Sequence, residues 1–190
     1  MAETIVGSCA PLIEKAYEHL RESGINMDDF EIDHVCYRTS TKEEYKSTVS
    51  RLCEAGGGQV LVEGLIGGRP IATVKLSSPI VVRRWSIPCV EVPCPKAGRP
   101  YASGLEHIEL VIGGPDSSPL DSRQALEEFA LRHPSVEFDR RAIDKHINAD
   151  ISLSLPGEEF SVKFHLCSLE RVVELEKETN SVVPVPSDFF

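Results

Sequence analysis

Apolar and polar positions alternate along Gly104–Ile112. Glu106, Ile108, Leu110 and Ile112 fall on one face; Leu105, His107, Glu109 and Val111 fall on the other. A period of two predicts a strand with one packed face and one polar face. The alternation recurs at Asp33–Arg38, where His34, Cys36 and Arg38 share a face. Two further short strands are predicted around Glu91 (Cys89–Val92) and His165 (Lys163–Leu166). His34 and His107 are separated by about the same distance along the chain as Glu91 and His165, roughly 73 residues. Such a shared offset marks a duplicated module with a site near its pseudo-twofold axis.

Between these strands the period changes. Leu12, Ile13, Ala16, Tyr17 and Leu20 recur at helical spacing over residues 8–23, and Gly24 supplies a stop. Thr39-Ser40-Thr41, with Glu43 and Glu44 behind them, predict a capped helix running to about Ala55. Gly56-Gly57-Gly58 follow that helix, so they read as a C-cap and turn, not as a phosphate cradle. Strands are expected at 59–63, 69–76 and 86–92, with Pro88 implying an edge or an irregular start to the last. A Pro-rich linker over 93–100 separates the halves. The second half repeats the order, with a helix at 122–132, a weakly marked strand at 135–139, strands at 151–155 and 160–166, a helix at 169–177 and a tail. The fold class is therefore α+β. Two βαβββ modules pair into a curved, cleft-forming mixed sheet with helices outside, plus an N-terminal helix. The expected divisions are residues 1–30, a domain over 31–170 with repeats at about 31–95 and 104–168, and a C-terminal helix and tail over 169–190.

Composition narrows the function classes. The chain has 190 residues and a net charge of −10, which disfavours nucleic acid. No apolar run approaches the ~20 residues of a membrane span, and no basic segment precedes a hydrophobic one at the N-terminus. Six cysteines lack any Cys-x-x-Cys spacing, which predicts free thiols and a cytoplasmic location. The expected partner is a small molecule, with a homodimer left open.

Several segments together resemble the YecM-like family of the vicinal oxygen chelate superfamily, which includes glyoxalases, extradiol dioxygenases and bleomycin-resistance proteins. They are Asp33-His34, Gly68-Arg69-Pro70-Ile71, Trp85–Pro88 with Val90–Pro93, Gly104–Glu109, and Val162–His165. Leu105 departs from the family pattern, where Trp is common. The resemblance implies metal ligands on the first and fourth strands of paired modules.

His34, Glu91, His107 and His165 are the expected ligands, a set suited to Zn, Ni, Co, Fe or Mn. Four ligands would close a tetrahedral zinc, whereas an octahedral ion would keep two positions for substrate oxygens. One ligand could also be a bystander. Glu109 is the candidate proton carrier or ligand-orienting group; its alternative is an ion pair with Arg38 or Lys75. Arg38, Arg69, Thr73, Lys75 and Lys163 are expected to bind an anionic substrate, because unpaired buried charges are costly and point to a wet cleft. Structural ion pairs are the alternative. His19 and His133 have no expected role, and His146 is a candidate for the cavity rim. The expected function is a divalent-metal-dependent isomerase, lyase or dioxygenase acting on a small oxygen-chelating substrate. A ligand-binding protein of the same fold and a structural metal site are the alternatives.

Overall fold

A computed structural model describes residues 2–100 and 102–190. Seven strands form one mixed sheet: β1 (Glu31–Arg38), β2 (Gln59–Ile66), β3 (Arg69–Val82), β4 (Trp85–Pro93), β5 (Gly104–Val111), β6 (Ile151–Ser154) and β7 (Ser161–His165). Their spatial order is β2-β3-β4-β1-β5-β7-β6. β1 runs antiparallel to β5 at the centre, and each pairs in parallel with the last strand of its own half. The first strands of the two halves therefore lie side by side, which is what the repeated His-bearing segments predict.

The helices are α1 (Glu3–Val6), α2 (Ala10–Glu22), α3 (Lys42–Glu54), α4 (Ser122–Arg132) and α5 (Leu169–Glu178). Thr41 caps α3 by accepting a hydrogen bond from the Glu44 amide. The apolar stripes of α2, α3 and α4, including Ile13, Leu20, Leu52, Leu126 and Phe129, join Val35, Val90, Ile108 and Phe164 in one buried core. Trp85 is fully buried and donates its indole N–H to the Phe30 carbonyl at 2.9 Å. Burying side chains of this size contributes on the order of 2 kcal/mol each. The opposite face of the sheet is the polar one, and α5 lies across part of it: Leu169 and Val172 line a small crevice with Thr73 and Glu91.

Three local features differ from the periodic reading. The strand expected at 135–139 is reduced to one bridge, Asp139 to Ser152. β4 is an interior strand. Pro88 is tolerated there because the β3–β4 register breaks between Lys75 and Ile80, opposite it, and the parallel ladder with β1 begins only at Cys89. The β1–β5 ladder is bulged twice, by Asp33 on β1 between Ile32 and His34 and by Glu106 on β5 opposite the step from Cys36 to Tyr37. The first bulge puts Ile32 and Val35, three residues apart, into the same core. The second inserts Glu106 between Leu105 and His107, so Glu106 turns to the polar face and lines its cavity. Simple alternation assigns Glu106 to the apolar face.

Candidate metal centre

The register of three adjacent strands assembles the site. His34 on β1 stands opposite Glu109 on β5, which stands beside Lys163 on β7. Cys36 stands opposite His107, with Glu91 on its other side. His165 is at the far end of β7, paired with Val111. Glu109 thus occupies the centre, with an imidazole from β1, one from its own strand and one from β7 around it.

The distances follow. His34 Nε2 is 3.4 Å from Glu109 Oε2, His107 Nε2 is 3.2 Å from Glu109 Oε1, and His165 Nε2 is 2.5 Å from Glu109 Oε2. His34, His107 and Glu109 each offer a ligand atom within 4.8 Å of the other two. All four side chains are at least nine-tenths buried. Despite this proximity, His34 Nε2, His107 Nε2 and both ring nitrogens of His165 lack an aligned hydrogen-bond partner. Buried polar atoms left without partners are costly and rare in folded proteins. Glu91 is the more remote carboxylate, 4.0 Å from His107 Nε2.

The second nitrogen of His34 is held. Its Nδ1 pairs with Asp33 Oδ2 at 2.8 Å, and the same oxygen accepts a hydrogen bond from the Leu169 amide at the start of α5. The bulge makes this geometry available, since it lets two consecutive residues point into the polar side. A carboxylate behind a metal-competent imidazole fixes its ring orientation and tautomer. Asp33 was not among the expected site residues; a bulge leaves no trace in the alternation.

The electrostatics favour charge separation. Burial pushes the His34 imidazolium down, but Glu109 and Asp33 outweigh it and hold its pKa well above the ordinary histidine value. His107 shifts the other way, lowered by burial and by Lys163. Burial would raise Glu109, yet His165, His34 and Lys163 hold its carboxyl well below the usual range. Lys163 Nζ donates to Glu109 Oε1 at 2.9 Å.

A cavity of about 360 Å³ opens above Glu109, lined also by Glu91, Arg69, Lys163, His107 and His165. The other expected binding residues are dispersed. Arg38 reaches Glu159 at 3.1 Å and lines a neighbouring groove of about 410 Å³ that shares Glu106, Ser154 and Ser161 with the cavity. Thr73 is buried in the crevice beneath α5, and Lys75 pairs with Glu170 on that helix at 2.8 Å. Of the ion pairs expected as alternatives for Glu109, Lys163 takes the place of Arg38 or Lys75. His146 lines a surface hollow with Pro119 and Arg123 and does not line the cavity itself. His133 packs on Phe129 at 4.8 Å between ring centroids.

His34, His107 and Glu109, with His165 beside the same carboxylate and the His34 ring braced by Asp33, fit a divalent ion of the borderline class. The family described as YecM protein matches residues 2–176 of the chain. Protein YecM of Escherichia coli K12 is 29% identical over 90% of this chain and 93% of its own length. An uncharacterised protein of Haemophilus influenzae is 27% identical over 68% of this chain and 64% of its own. Among solved structures, a structural-genomics protein designated EC4020 superposes with a TM-score of 0.68 at 28% identity, covering 92% of this chain and 93% of that one. A methylmalonyl-CoA epimerase does so with a TM-score of 0.50 at 13% identity, over 70% of this chain and 92% of that one, a likeness of fold alone.

Proposed function

The chain belongs to the YecM protein family, and from its own residues we propose that it is a divalent-metal-dependent enzyme acting on a small, oxygen-chelating, anionic substrate. The reaction class is that of an isomerase, lyase or dioxygenase. The observation carrying this reading is the set of buried nitrogens on His34, His107 and His165 that surround Glu109 without an aligned hydrogen bond.

His34, His107, Glu109 and His165 would hold the ion. A bound divalent ion supplies Lewis-acid polarisation of substrate oxygens. The two glutamates then exchange the roles that sequence alone gives them. Glu109 is wedged among imidazoles and fully engaged. Glu91 faces the cavity from 4.0 Å beyond His107, so it is the group placed to accept or deliver a proton at a substrate carbon or oxygen. Lys163 neutralises Glu109 and presents its charge to the cavity wall. Asp33 keeps the His34 ring turned toward the site.

The Lys163–Glu109 ion pair favours a second reading, a metal-free charge network in a ligand-binding protein. Elemental analysis of untagged protein separates the two. The metal reading expects about one equivalent of a transition ion, lost in Glu109→Gln and in His107→Ala but retained in Glu91→Gln. Metal content equally low in wild type and variants, after growth with each candidate metal, would remove it. A turnover screen on oxygen-chelating acids with the loaded protein then distinguishes enzyme from binder, and Glu91→Gln should abolish turnover.

A further inference from the structure

The cavity wall carries more information than the metal ligands do. Its cations are Arg69, Arg141, Lys145 and Lys163. Three of them are engaged by carboxylates: Arg141 with Asp139, Lys145 with Asp150 and Lys163 with Glu109. Arg69 is different. Among the described residues it makes one hydrogen bond, from Nη1 to the Cys94 carbonyl at 3.3 Å, and pairs with no carboxylate. It is half-buried at the start of β3, directly after the Gly67-Gly68 turn, whose two positive φ angles (59° and 79°) suit a tight hairpin. The hairpin sets the guanidinium at one side of the cavity.

The opposite side is built from hydroxyls. Ser154 and Ser161 are direct cross-strand partners on β6 and β7, Ser152 is paired with Lys163, and Ser161 is paired with His107. All three serines line the cavity, whereas its aliphatic lining is confined to Ile66 and Ile71. No Phe, Tyr or Trp side chain lines it among the described residues. A wall with no large aromatic or aliphatic face and many hydroxyls and charges suits a chain of hydroxyls better than a benzene-type ring.

Charge sets the remaining property. Five carboxylates, Glu91, Glu106, Glu109, Asp139 and Asp150, face the four cations. Counting also Asp33 behind His34 and Arg38 beside Glu106, five cations and six carboxylates with a divalent ion and neutral imidazole ligands leave one positive charge, which a monoanion neutralises. A dianionic phosphate would overshoot it.

We infer that the ligand of this cavity is a small polyhydroxylated monocarboxylic acid of the sugar-acid type. Arg69 takes its carboxylate through the two-pronged guanidinium geometry. Ser152, Ser154 and Ser161 receive its hydroxyls, and two vicinal oxygens reach toward Glu109 and the histidines. This inference rests on the metal reading above.

Isothermal titration calorimetry with metal-loaded, untagged protein tests it. The probes are D-gluconate, D-glucose, propanoate and catechol, with bound metal measured after each titration. D-gluconate should bind, and the other three about tenfold or more weaker. Arg69→Met and Arg69→Lys should each weaken D-gluconate about 10–100-fold, the range of a lost charge-assisted pair, with wild-type metal content. Ser154→Ala combined with Ser161→Ala should weaken D-gluconate and leave metal content unchanged. Catechol, D-glucose or propanoate binding as tightly as D-gluconate, no binding by D-gluconate, or unchanged affinity in both Arg69 variants would overturn the inference while the metal reading stands. Absence of metal from the wild type is instead the failure of the metal reading.

Discussion

At the scale of single residues, the site turns on which proton each group keeps. His34 is the decisive one, because Glu109 and Asp33 hold its pKa well above the ordinary value of about 6.5. A metal must displace that proton, so uptake releases it, and apparent affinity rises with pH. The rise should continue past about pH 7.5, where an unperturbed imidazole would be about nine-tenths neutral. Glu109 adds nothing in this window, since its carboxyl is held well below the usual range and stays ionised. Competition against a fluorescent chelator between about pH 6 and 8.5 reads the slope; a plateau from about pH 7.5 upward would show that His34 does not carry the displaced proton. Asp33 acts one atom further back. Asp33→Asn should weaken metal binding by about 10–100-fold, the usual cost of losing an outer partner of a histidine ligand. Measured in the same competition assay, an unchanged affinity would show that the Asp33 contact does not orient the ring for an ion.

At the scale of elements, α5 faces the site, the one helix to do so among the described residues. Asp33 accepts from its first amide, Ser168 caps its next turn by accepting from the Arg171 amide, and Lys75 reaches Glu170. Ser168→Ala should therefore cost about 1 kcal/mol in urea unfolding and leave metal affinity nearly intact, because Asp33 still holds Leu169. A loss of affinity as large as that of Asp33→Asn would mean that the helix itself positions His34. This dependence was not legible in the sequence. The Asp33–Arg38 and Gly104–Ile112 alternations, and the shared offset between halves, were enough to bring His34, His107 and His165 together, since period and repeat are sequence properties. Bulges are not. They turned Asp33 and Glu106 to the polar side and made Glu109 the centre, with Glu91 set back. Pro88 had two readings, and only the edge fails: β4 is interior, but its start is irregular, with the β3–β4 register broken beside Pro88 and the β1 ladder beginning at Cys89. The strand at 135–139 was weakly marked and forms a single bridge.

At the scale of the whole molecule, the site joins both halves of the fold. His34 comes from the first half, and His107, Glu109 and His165 from the second, across the β1–β5 seam. Any ion bound there binds the folded sheet and not the unfolded chain, so it stabilises by mass action. At a free metal concentration about 100 times Kd the gain is about 2.7 kcal/mol. For a chain of this size that corresponds to a rise in Tm of about 5–10 °C. The core of the sheet does not depend on it, because Trp85, Phe129, Phe164 and their neighbours pack on the other face. Chelator treatment should therefore lower Tm by that increment and leave a cooperative transition, with far-ultraviolet circular dichroism unchanged below it. Collapse of the secondary structure on chelation would instead assign the ion a structural role. A Tm indifferent to both metal and chelator would leave the three imidazoles and Glu109 as a charge network alone.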